Sequence, residues 1–207
     1  MQSLASAFSL STPTLLALAL ALPLSSVGCA SAPELTLTSI DHSQCYRQGF
    51  TQAYTSRDAN GDVDVVLLDQ ASEEALSGKG ASNPPVRQVM HIRILWSPTS
   101  DMKAVVSNAS VRWYVIGRSN PQDVLEYSGI AFVSMDQNDD DCKLRVRNAV
   151  LKPSGNHGAL NDPIGPSRLE GTFTAHADPG KVNRVLGTLK TTVAAARSAT
   201  PALTSVR

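Results

Sequence analysis

Gln88-Val-Met-His-Ile-Arg-Ile-Leu-Trp96 and, after a connection, Ser110-Val-Arg-Trp-Tyr-Val-Ile116 are the stretches that decide the fold. In an extended chain successive side chains point to opposite faces. The first run therefore sets Met90, Ile92, Ile94 and Trp96 against Val89, His91, Arg93 and Leu95. The second sends Val111, Trp113 and Val115 one way and Arg112, Tyr114 and Ile116 the other. This alternation predicts two antiparallel strands at the centre of a sheet, with both tryptophans on apolar faces that belong in the core.

Further strands are predicted on either side. Glu34 to Ile40 alternates leucine with threonine, and Cys45 to Thr55 is read as strand although Tyr46, Phe50 and Tyr54 also suit a helix face. Asn60-Gly61 marks a hairpin leading into Val63-Asp-Val-Val-Leu-Leu68. Val124 to Met135 is apolar on both faces, which predicts burial on both, with Gly129 as a candidate bulge. Asp136-Gln-Asn-Asp-Asp-Asp141 reads as a solvated hairpin loop. Beyond it Cys142-Lys-Leu-Arg-Val-Arg147 puts Leu144 and Val146 inward and Lys143, Arg145 and Arg147 outward, as does a sheet with one wet side. Arg168 to Ala175 is the last strand. Asp178-Pro179 then supplies an N-cap and a first-turn proline, and Val182, Val185, Leu186, Leu189 and Val193 follow at one-face helical spacing. The expected fold is mainly β: an antiparallel β-sandwich-like domain of seven or eight strands, residues 34–196, with one C-terminal α-helix packed on the sheet. Residues 197–207 are expected to form a disordered tail.

Composition bounds the function. The 207 residues are 42% hydrophobic and carry 18 basic against 18 acidic side chains. One domain is expected, and no net basic field draws it to nucleic acid. No nucleophile elbow, P-loop, dinucleotide fingerprint or zinc-protease helix is written in it, and the four histidines have no metal-ligand spacing.

Two weaker patterns name candidate residues. Asp58, Asn60, Asp62, Asp64 and Asp69 occupy the oxygen-donor positions of an EF-hand-like frame, which would make a calcium-stabilised module. Val63 stands where that frame needs glycine, so the simpler reading is a hairpin turn with solvated carboxylates. Pro153 to Ser167 is rich in Gly and Pro and holds His157 and Asp162, the candidate ligand-binding residues of a long loop and the basis of an alternative reading as a periplasmic hydrolase.

The N-terminus speaks to location. Thr14-Leu-Leu-Ala-Leu-Ala-Leu-Ala-Leu-Pro-Leu24 is an apolar run of secretory length, too short to span a bilayer stably. With Ser26-Val27-Gly28-Cys29 behind it, the segment resembles the signal of a bacterial lipoprotein. That resemblance covers only about the first thirty residues. It implies removal of residues 1–28, a diacylated Cys29, a tether over 29–33 and a membrane-anchored protein of the cell envelope. Ala30-Ser31-Ala32 also offers an ordinary secretory cleavage site, and an uncleaved anchor is the third option. In an oxidising envelope the two remaining cysteines, Cys45 and Cys142, are expected to pair; such a bridge would contribute up to about 4 to 5 kcal/mol by loop entropy. The expected role is non-catalytic binding or assembly, with an envelope protein or polymer as partner.

Overall fold

The computed structural model describes residues 32–72, 86–95, 106–117, 120–137, 141–162 and 164–199. The signal segment with Cys29, residues 73–85, Trp96, the middle of the acidic run and the chain beyond Ala199 lie outside these residues. The strands are β1 (Glu34–Ser39), β2 (Cys45–Arg47), β3 (Phe50–Arg57), β4 (Val63–Asp69), β5 (Val86–Ile94), β6 (Val106–Gly117), β7 (Val124–Gln137), β8 (Asp141–His157) and β9 (Ser167–Ala177). One long helix among the described residues, α1 (Pro179–Ala199), follows.

From β3 to β9 each strand pairs with the next in space, in the order β3-β4-β5-β6-β7-β8-β9, and β9 then returns to β3. This is a closed seven-stranded barrel, not the expected sandwich. All of its pairings are antiparallel except the seam, where Tyr54 and Thr55 of β3 run parallel to His176 and Ala177 of β9. The other half of that β9 edge pairs with β1, and β2 lies outside β1. Closure leaves β3 to β9 without the open edges that a sandwich would have to protect.

The opening pair is confirmed and extended. Val86–Ile94 aligns with Gly117–Ala109 residue for residue. Met90, Ile92, Ile94, Val111 and Trp113 point inward and are buried. They meet Leu35, Leu37, Val65, Leu67, Val133, Leu144, Leu151, Leu169 and Phe173 in one cluster that fills the barrel. Trp113 stacks on Tyr127 with ring centroids 4.7 Å apart.

A second apolar layer lies outside the barrel wall. Val66, Leu68, Val89, Tyr114, Ile116 and Val124 face outward and are covered by Val182, Val185, Leu189, Val193 and Ala196 of α1. Strand faces on both sides of the sheet are apolar, as predicted, but the outer one serves the helix and not a second sheet. Asp178 caps the helix, its carboxylate accepting the Lys181 N–H at 2.8 Å, as its sequence signature predicts. The helix runs three residues past the expected end, to Ala199.

Local departures have local causes. The Asn60-Gly61 hairpin is not a two-residue turn: Asp58 N–H donates to the Asp62 carbonyl, Asp58 Oδ1 accepts from Asn60 and Asp62 N–H, and Gly61 alone adopts positive φ, 87°. Gly129 is not bulged. The bulges sit in β8, around Ser154 and Asn148, and Gly129 is needed because a Cβ there would lie 1.9 Å from the Val150 carbonyl oxygen. β8 also continues to His157, so the loop predicted over Pro153 to Ser167 is shorter; Pro153 is accommodated next to the bulge, opposite Tyr127.

Candidate functional site

The sequence-predicted ligand residues separate. His157, at the end of β8, places Nε2 3.3 Å from Oε1 of Glu126, a nearly buried carboxylate on the outward face of β7. Arg197 in the last turn of α1 holds both oxygens of the same group, at 3.0 and 3.1 Å. The cluster fastens the end of the helix to the barrel, and a residue assigned to the tail is one of its parts. Ser154 Oγ donates to the Glu126 carbonyl at 3.3 Å.

Asp162 serves a different structure. Its Oδ1 accepts the Ile164 and Gly165 N–H groups at 3.0 and 2.9 Å and the hydroxyl of Tyr127. Burial alone would raise this carboxyl, but the Tyr127 hydroxyl and the two N–H groups outweigh it and hold it below its ordinary range. Burial and the same carboxylate push the Tyr127 phenol upward. Asp162 thereby closes the loop over one end of the barrel.

The calcium frame does not converge. Asp58 binds its own turn, Asp62 contacts Arg93 at 3.0 Å, and Asp64 contacts His91 at 2.7 Å. Asp69 stands at the far end of β4, about 20 Å from the turn at strand rise. There it accepts from Ser72 and Gln88 N–H, and burial raises its carboxyl. Asn60 is exposed on the turn. Among the described residues no three His, Cys, Asp or Glu side chains gather as a metal site.

The expected Cys45–Cys142 bridge is absent, and both thiols are free. Cys45 pairs Thr38, which pairs Arg168, whereas Cys142 pairs Ala175, seven positions along β9. That offset alone is about 23 Å at strand rise, where a disulfide needs Cα atoms within about 7 Å. Cys142 faces the barrel interior, and burial pushes its thiol up to about 12.

What sequence reasoning missed lies on the outer wall of β7 and β8. Ile130 and Phe132 point outward and are 69% and 49% exposed. Val150, directly opposite Ile130, is 38% exposed. Val124 to Met135 is therefore buried on both faces only near its start. Around these side chains stand exposed bases: Arg147 opposite Phe132, Lys143 and Arg145 farther along β8, Lys152 beyond Val150, and Arg168 beside Val150 on β9. Lys143, Arg145 and Arg147 were legible as an outward stripe; the apolar crest beside them was not, because periodicity gives a face without its cover.

Comparison of the chain with protein-family models, with curated proteins and with solved structures finds no match.

Proposed function

We propose that this chain is an exported lipoprotein of the bacterial cell envelope, anchored through Cys29, whose barrel has a non-catalytic binding or assembly role. The observation that carries the binding role is the outer wall of β7 and β8, where Ile130, Phe132 and Val150 are left in water along a row of bases on β8 and β9. Contiguous exposed apolar groups rimmed by charge mark interaction surfaces in soluble domains. The barrel interior offers a contrast: it is packed with leucine, valine and aromatic side chains as a core.

The export reading draws on the apolar run of residues 14–24 and on Ser26-Val27-Gly28-Cys29. Mass spectrometry of the mature protein should find a diacylated Cys29 at its N-terminus; an unmodified N-terminus at Pro33 would refute the anchor. For the binding role, a photo-crosslinking residue at position 132 should give a discrete adduct in intact cells, and one at exposed Lys190 on α1 should not. Identical adduct patterns at the two positions would count against this wall.

A hydrolase reading draws on the His157–Glu126 contact. Arg197 already occupies both Glu126 oxygens, so the cluster is better read as a fastening than as a base awaiting a nucleophile.

A further inference from the structure

We propose that the bare wall of β7 and β8 is a docking surface for the anionic surface of a phospholipid bilayer, against which the barrel lies. The inference rests on the envelope reading above for its setting, and on three structural observations for its content.

The first is chemical. Ile130 and Phe132 project side by side along β7, and Arg145 and Arg147 project from the neighbouring strand. An interfacial bilayer layer supplies both kinds of partner at once, hydrocarbon for the apolar side chains and phosphate for the guanidinium groups. A soluble anionic polymer would satisfy the bases and leave Ile130 and Phe132 in water.

The second is a depression of about 310 Å³ lined by Ser134, Met135, Asp136, Lys143, Leu144, Arg145 and Thr172. It opens on the outward side of the same strands, beside Phe132, at the place a headgroup would occupy if the apolar crest entered the bilayer. Asp136, Asp141 and Glu170 on these strands and Glu34 beside them are the carboxylates of this wall, and the five bases from Lys143 to Arg168 exceed the four.

The third is the position of the tether. Glu34, at the start of β1, pairs Thr172; Thr172 pairs Arg145; and Arg145 pairs Ser134. Glu34 thus begins the folded chain two strands from Arg145, about 10 Å away at ordinary strand spacing. Pro33, just before it, is already buried, which leaves residues 29–32, a reach of at most about 14 Å. A lipid on Cys29 would enter the membrane beside this wall. The wall beneath α1 is already covered.

The test uses the lipid-free chain from Ala32 onward, within which the barrel closes and both apolar clusters are filled from residues 35–196. Flotation with phosphatidylcholine vesicles, with and without a third of phosphatidylglycerol, should show about tenfold stronger partitioning onto the anionic vesicles, lost at high salt. The double variant R145Q/R147Q should fall to the neutral-vesicle level. I130S/F132S should lose severalfold at an unchanged melting temperature, and K190Q should match wild type. Equal partitioning onto both vesicles, or anionic binding that neither double variant weakens, overturns the proposal. So does a stable complex with an acidic protein or polymer in the absence of any vesicle binding. Because this chain lacks Cys29, its failure to bind would leave the lipid-anchor reading standing, and an unlipidated native N-terminus would leave a positive flotation result standing.

Discussion

The outward face of the sheet is treated in two ways within a few residues of the same strands. Val124 at the start of β7, with Ile116 across from it on β6 and Tyr114 next along the same face, lies under α1 and is buried. Six and eight positions along β7, Ile130 and Phe132 face the same way and meet water. The side chains are equally apolar, so the strand does not decide their fate. What decides it is the path of the helix, which leaves β9 at the Asp178 cap, crosses the wall, and is fastened at its last turn by Arg197 on Glu126. The contrast separates apolar residues that hold the fold together from apolar residues available to something else.

Three substitutions probe that separation. Trp113→Ala removes a side chain stacked inside the barrel and should cost about 3 to 5 kcal/mol in denaturant unfolding. A loss below about 1 kcal/mol would mean the interior is not the principal core. Leu189→Ala, at the interface of α1 with the covered wall, should cost about 2 to 4 kcal/mol, towards the lower end because one side of this layer borders solvent. If it matched the effect of a surface change, the helix would not be a fixed cover, and the two halves of the wall would be equivalent. Phe132→Ser, on the bare half, should change stability by less than about 0.5 kcal/mol. A larger loss would show that something in the chain already shelters this side chain.

The interior is where sequence and structure agree most closely. Alternation identified the inward sets of β5, β6 and β8 because burying one face of a strand imposes period two on its residues. The helix was legible for a similar reason: Asp178-Pro179 satisfies the first-turn backbone groups, and a one-sided apolar stripe requires a partner. The candidate sites were much less legible. His157 and Asp162 are five residues apart in the chain yet serve unrelated contacts, with Glu126 on the outside of β7 and Tyr127 on the inside. Neighbouring strand residues point to opposite faces, so proximity in sequence placed both in one loop and told nothing of their partners. The cysteine pair failed likewise, since compartment and even count carry no information about register.

By itself the sequence determined most of the strands, their inward faces and the capped helix, because these follow from backbone geometry and from local apolar periodicity; Cys45 to Thr55 reads as one strand where the chain breaks at Gln48 and Gly49 into β2 and β3. It also set the outward basic stripe of Lys143, Arg145 and Arg147. Only the tertiary structure decided that the sheet closes, since closure depends on β9, already paired with its neighbour β8, also finding β3, a segment more than a hundred residues away that no local pattern encodes. It likewise decided which outward apolar residues are core and which are surface. Exposure belongs to a side chain and its cover together, and α1, the last described element along the chain, covers Val124 and leaves Phe132 bare.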